Sequence, residues 1–257
     1  MPPHSSTTDP KHRSRHEPIT VLWVGDDSPM RERVAETRGS DSRLEIRPVE
    51  STAAALEVLD GVDCVVSERD RREGAPIELF EAVQERAPTL PFVLVTDSVR
   101  GEIPKPMLRT TWADAVCRDD DAFAALLEQR IARLVDHRRL STLAERGLTA
   151  LETVRDGVAI VDVDGSFDFV NQVFALQFGF DRNALVGRPW QLVYTDATVD
   201  RLESQALPMV ENEWQWTGSC VGNGTPGPFT ARTTIAGVEG GGFVLVVHEE
   251  GHSSGET

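Results

Sequence analysis

Lysine is nearly missing from this chain. Lys11 and Lys105 are the only two, so arginine supplies 24 of the 26 basic residues. Against them stand 42 acids, for a net charge of −16. No basic stripe forms anywhere, which argues against a broad nucleic-acid-binding surface. Cysteine is scarce as well. Cys64, Cys117 and Cys220 lie far apart with no C-x-x-C pair, which excludes a disulfide framework or a zinc site and implies reduced, buried thiols in a cytosol. No apolar run approaches the length that crosses a bilayer. Residues 1–17 lack the apolar core of a secretory signal and read as a disordered tail, as do residues 251–257. The sequence therefore predicts a cytoplasmic protein without a membrane partner. Nothing in it resembles a nucleophile triad, a metal cluster or a phosphate-cradling glycine loop, so no enzyme activity is expected. After Glu250 only a short tail follows, and no kinase, ATPase or winged-helix output domain is expected there.

The acids are dispersed along the chain instead of collected in one tail. A dispersed acidic surface keeps a protein hydrated and soluble when salt screens charge. Together with the scarcity of lysine, this pattern resembles proteins of salt-accumulating haloarchaea.

The chain is long enough for two ordinary cores. Between them a helix is predicted from Asp120 to about Leu148, with Asp120 or Asp121 accepting the first free backbone N–H groups. Phe123, Leu127, Ile131 and Leu134 fall on one helical face. Leu140 comes six positions later, roughly 240° around the axis, so the apolar face changes there. Leu140, Leu143, Leu148 and Leu151 form a second, looser seam. The first half is expected to pack on the domain before it. The second half either stands free as an ordinary connector or pairs with a second copy of the chain.

Residues 18–136 alternate strand and helix signals. Strands are predicted at residues 19–24, 44–49, 64–66, 92–95 and 115–117. Helices are predicted at residues 28–37, 52–59, 76–87 and from Phe123 onward. In the helix at 76–87, Ile77, Leu79, Phe80 and Val83 are expected to face inward. Such alternation predicts a parallel sheet covered on both faces, with any site at the carboxyl ends of its strands. Those ends read Gly25-Asp26-Asp27, Ser67-Glu68-Arg69-Asp70, Thr96-Asp97-Ser98 and Cys117-Arg118-Asp119. Between the last two strands, Pro104 and Pro106 forbid a regular helix.

Acids, a hydroxyl and a base converging at one sheet edge resemble the receiver domain of two-component response regulators. That resemblance implies a Mg²⁺ site, a phosphoacceptor ending the third strand, and a hydroxyl and a base that bind phosphoryl oxygens. Thr96 matches the hydroxyl. The departures are Glu68 at the acceptor position, Arg118 at the lysine position and Gly25 in place of the first acid, leaving Asp26, with Asp27 beside it. Asp26 and Glu68 are the residues left to hold any Mg²⁺. A glutamate carries its carboxylate one methylene too far for in-line transfer, and Arg118 is expected to pair it bidentately. The site then reads as a pseudo-receiver, as a decayed scaffold, or as a working receiver using Glu68 or Asp70.

Residues 149–250 read differently. A strand at residues 156–162, the Asp164-Gly165 turn and a returning strand at 166–170 come first, with Phe167 and Phe169 expected on one face. Asn171 caps a short helix. Asp196 is read as the cap of a longer helix over residues 197–210. Strands at 214–221, 229–235 and 243–248 end the chain. This is an α+β order with one antiparallel sheet. Asp156-Gly157, Asp164-Gly165, Asn171, Gly179-Phe180 and Gly187-Arg188 are similar in order and spacing to PAS sensor domains. That resemblance implies a cavity between sheet and helices, for which Phe174, Phe178, Trp190 and Trp216 are the lining candidates. No cofactor is predicted. A haem would need an axial ligand, and only His248 and His252 lie beyond Leu148. Trp190 stands where the photoactive flavin type has its cysteine.

The two resemblances together imply a non-catalytic signalling protein in a two-component pathway. A histidine kinase or another signalling protein would be its partner, with a homodimer through the linker helix. The alternatives are a working phosphoacceptor regulator and a fragment or partner subunit of a PAS-type histidine kinase. His137 lies on the linker helix without the sequence context of a phosphorylated kinase histidine, and reads as a solvated residue.

Overall fold

The computed structural model describes residues 18–25, 32, 34, 43–68, 75–97, 103–225 and 227–248. Both predicted tails, the helix expected at 28–37 apart from residues 32 and 34, and Asp26, Asp27, Asp70 and Ser98 lie outside the described residues. The chain divides into two compact units, Met1–Leu143 and Ala144–Thr257.

In the first unit, strands β1 (Ile19–Val24), β2 (Leu44–Val49), β3 (Cys64–Glu68), β4 (Phe92–Thr96) and β5 (Ala113–Cys117) form one sheet in the order β2-β1-β3-β4-β5. All neighbours in it are parallel. This is the flavodoxin-like doubly wound order. The central strands are buried along their whole length or nearly so, as a sheet covered on both faces requires. On one face Trp23, Cys64, Val66 and Val95 pack with Phe123, Leu127, Ile131 and Leu134. On the other, Leu22, Val65, Phe92 and Leu94 pack with Ala55 of helix α1 (Thr52–Glu57) and with Leu79, Phe80 and Val83 of helix α2 (Ala75–Arg86). Ile77 does not join them; it is 39% exposed. At 100° per residue it sits about 120° from the centre of the face that Leu79, Phe80 and Val83 define. Among the described residues between β4 and β5, a 3₁₀ turn, Met107–Arg109, is the one helical piece. Two prolines within three residues remove the donors a longer helix would need.

Helix α3 runs Phe123–Thr153, five residues past Leu148. Asp120 accepts from the Ala122 N–H at 2.8 Å. Its first half buries Phe123, Leu127, Ile131, Leu134 and Val135 in the first unit. Leu140 and Leu143 are each 66% exposed, and Leu148 is exposed too. The exposed His137 ring lies 4.8 Å from that of Trp112.

In the second unit β6 (Gly157–Val161), β7 (Phe167–Val170), β8 (Gln215–Asn223), β9 (Pro228–Gly237) and β10 (Phe243–Val247) form an antiparallel sheet in the order β7-β6-β10-β9-β8. Helices α4 (Gln172–Phe178), α5 (Arg182–Leu185), α6 (Asp196–Arg201) and α7 (Leu207–Glu213) lie between β7 and β8, with a π-helical turn, Leu202–Ala206, joining the last two. Two expectations fail here. A register shift between Ile160 and Val161 breaks the alternation of β7. Phe167 and Val170 therefore enter the core, while Phe169 packs outside it under the Arg182 guanidinium, as a bulge re-aims side chains. Asp196 is not the cap of α6 either. Thr195 is the cap residue, and Asp196 is in the first turn, where its charge still favours the helix dipole.

Candidate functional site

The carboxyl ends of β1, β3, β4 and β5 meet at one edge of the first sheet. Glu68 ends β3 and is mostly buried, with its side chain 13% exposed. The indole N–H of Trp23 donates to its Oε1 at 2.7 Å. That bond is charge-assisted, and an indole N–H can serve only an acceptor. Arg118 is the other neighbour, but its Nη2 stands 3.9 Å from Glu68 Oε2. Its Nε lies 2.6 Å from Asp97 Oδ1. The bidentate Glu68–Arg118 pair expected from the sequence is thus not formed. Asp97, one residue past β4, is the closer anion and takes the guanidinium first. Thr96 is buried at the end of β4, and its carbonyl accepts from the Arg118 N–H at 2.8 Å. A Cβ at Gly25 would lie 3.6 Å from the Glu68 Cβ, so position 25 abuts the acceptor-equivalent carboxylate and offers it no acid. Asp26 and Asp27, the remaining metal-ligand candidates at this edge, lie outside the described residues. No cluster of three metal-ligating side chains occurs among the described residues.

Sequence reasoning missed Trp23 and Asp97. The signal for Trp23 was its register. Trp23 pairs with Val66, so Glu68, two residues on, points to the same face and within an indole's reach. Nothing in the sequence separates Asp97 from the other acids of its loop.

In the second unit the start of β6 is tied to the last turn of α3 by Asn171, which is fully buried. Its Oδ1 accepts from the N–H groups of Val158 at 2.9 Å and Phe174 at 2.8 Å. Its Nδ2 donates to the carbonyls of Leu151 at 2.9 Å and Asp156 at 3.0 Å. The cap expected of Asn171 is present, and the same side chain also holds the end of the linker helix. Glu152 adds a second tie, accepting from the Gln172 N–H at 3.0 Å and pairing with Arg182 at 2.6 Å.

The aromatic pocket candidates are packed against other rings. Phe174 meets Phe167 and Phe178 edge-on or tilted, with centroids 5.6 and 4.7 Å apart. Trp190 meets Tyr194 and Phe243 at 6.1 and 5.9 Å. Trp216 is half-buried, its ring filling the space a Cβ at Gly218 would need. Burial pushes the Tyr194 phenol well above its ordinary range. In the first unit, burial with Asp63 nearby does the same for the Cys64 thiol. Cys64 and Cys220 are buried and Cys117 is half-buried; all three are free.

Residues 145–249 match the family model for the PAS fold, and the antiparallel unit has that fold. Among solved structures the chain is similar to the PAS domain of a protein from Colwellia psychrerythraea, at 17% identity over 42% of this chain and 97% of that one, with a TM-score of 0.39. It is similar to the PAS domain of an HTR-like protein from Haloarcula marismortui, at 19% identity over 44% of this chain and 94% of that one, with a TM-score of 0.37. A third is the PAS domain, in complex with ethanol, of a LuxR-family transcriptional regulator from Burkholderia thailandensis. It shares 17% identity over 39% of this chain and 93% of that one, with a TM-score of 0.36. No curated protein matches the chain. Among the described residues no helix is long and apolar enough to cross a membrane.

Proposed function

We propose that the chain is a non-catalytic signal-transduction protein, a pseudo-receiver followed by a PAS domain, that relays a signal through protein contacts in a two-component pathway. The observation that carries this reading is the environment of Glu68. Its carboxylate sits at the end of β3, where the resemblance to receivers implies the phosphoacceptor. It is held by the Trp23 indole and faces a guanidinium already taken by Asp97. A carboxylate so held is poorly placed for in-line attack on a phosphodonor. It also carries fixed negative charge near the place an acyl phosphate would occupy. The partner is a histidine kinase or another signalling protein. Helix α3 is the relay, since its first half belongs to the core of the first unit and its last turn is bound by Asn171 at the Leu151 carbonyl and, through Glu152, by Gln172 and Arg182. The exposed Leu140, Leu143 and Leu148 are the seam through which two copies pair.

The test is incubation with acetyl phosphate and Mg²⁺, read by intact-mass spectrometry. The wild type takes no phosphate, while Glu68→Asp together with Arg118→Lys takes some. Acid-labile phosphate on wild-type Glu68 or Asp70 above trace level would overturn the reading in favour of a working response regulator.

A further inference from the structure

A groove of about 680 Å³ opens at one end of the PAS-fold unit, with the core residues Trp190, Val210 and Phe243 in its wall. Three connections build it: the β6–β7 turn, the carboxyl end of α7 and the β9–β10 turn. Its exposed apolar surface comes from Val163, Trp214 and Val238. Trp214 is 67% exposed, and it is the only non-glycine residue with positive φ, 69°, among the described residues. Its backbone is held there from both sides. Its N–H donates to Val210 and its carbonyl accepts from Gly237, at 2.9 and 3.0 Å. The Trp214 backbone is thus fixed at the rim by main-chain bonds while its ring stands exposed.

The charges around that surface have one sign. Among the described residues Asp162, Asp164, Glu211 and Glu239 line the groove, and no arginine, lysine or histidine does. Asp164 and Glu211 have no ion-pair or side-chain hydrogen-bond partner among the described residues. Apolar side chains and an indole ringed by carboxylates, with Asp164 and Glu211 free to pair, are complementary to a cationic segment that carries large apolar side chains. The sign excludes phosphate-bearing occupants, whether nucleic acid or anionic lipid. The form argues for a polypeptide. The groove is open along one side and its carboxylates are spread around the rim, whereas small-molecule sites enclose most of their ligand and converge a few polar groups on it.

We infer that this groove docks a basic, leucine-type segment of a partner protein, with Trp214 as the anchor and Asp164 and Glu211 as the charge contacts. Tryptophan is among the residue types that dominate interface energetics. The inference stands apart from the receiver-like site and does not depend on it.

The probe is a fluorescein-labelled peptide, Gly-Arg-Leu-Arg-Leu-Arg-Gly, titrated into the full chain and read by anisotropy in KCl sufficient to keep the protein folded. The same peptide with glutamate for arginine is the control. The arginine peptide binds and the glutamate peptide does not. Trp214→Ala weakens binding about tenfold, and Asp164→Arg with Glu211→Arg weakens it by at least as much. The milder Asp164→Asn with Glu211→Gln, which leaves side-chain size unchanged, weakens it about threefold. Glu78→Arg with Glu81→Arg on α2, the same change of net charge in the first unit, leaves it within about twofold. Equal weakening by the α2 pair would show attraction to bulk charge alone and overturn the proposal. So would unchanged binding in Trp214→Ala. Full displacement of the peptide by millimolar tetramethylammonium would replace the peptide reading with a small-cation site.

Discussion

Asn171 is the side chain on which the second unit can be tested most sharply. It makes four hydrogen bonds from a fully buried position, two accepted from Val158 and Phe174 and two donated to Leu151 and Asp156. Asn171→Ala removes all four. At about 1 kcal/mol net for each, with some added cost for the Val158 and Phe174 N–H groups left buried and unpaired, the loss is about 3–5 kcal/mol. That is a large part of the ~5–15 kcal/mol of a typical domain. Asn171→Ser keeps a cap oxygen for Phe174 but cannot span to Leu151 and Asp156, so it recovers about 1 kcal/mol. Urea unfolding followed by near-ultraviolet circular dichroism measures the loss. Amide exchange locates it, with protection falling at Val158 and Phe174 before the sheet pair β8–β9 is affected. A loss under about 1 kcal/mol for Asn171→Ala would mean that water replaces the side chain at no cost, and would refute its role as the tie between helix and sheet.

Charging the seam with Leu140→Glu and Leu143→Glu is expected to give monomers by light scattering with the circular dichroism of both units unchanged; a wild type already monomeric at high concentration ends the dimer reading. If the dispersed acids reflect a saline setting, the melting temperature rises with KCl to molar concentrations, and equal values in dilute buffer and molar KCl refute that. Burial raises the folded-state pKa of Cys64 and of Tyr194. Their contribution is complete below the unfolded values and is lost as pH rises beyond them. Stability therefore falls from about pH 9 for the thiol and about pH 10 for the phenol, by about 1.4 kcal/mol per pH unit for each group. Cys64→Ala and Tyr194→Phe each flatten that slope, and a parent slope that both variants retain would assign it to other groups.

Periodicity by itself determined the order of the strands and of the buried helix faces among the described residues. β-branched runs bounded by glycine and acids marked the strands, the steps from Phe123 to Leu134 marked the buried face of α3, and paired prolines excluded a helix before β5. These signals are local, so they survive in one dimension. The same holds for Asn171 as a cap, whereas β3 runs two residues past the predicted strand at 64–66 to end at Glu68. What only the tertiary structure decided depends on contacts between distant residues. Trp23 reaches Glu68 across 45 positions, because β1 and β3 are neighbours in the sheet although β2 lies between them in sequence. Arg118 chose Asp97 over Glu68 on a difference of about an ångström, 2.6 against 3.9 Å. The bulge in β7 turned Phe169, still buried, to the other face of the sheet, against an alternation that had paired it with Phe167. Trp214 read as the start of a strand and became a fixed, exposed cap instead. Composition and spacing carry a residue's preference for helix, strand or interior; its partner is set by which strands lie side by side, and only the folded chain establishes that.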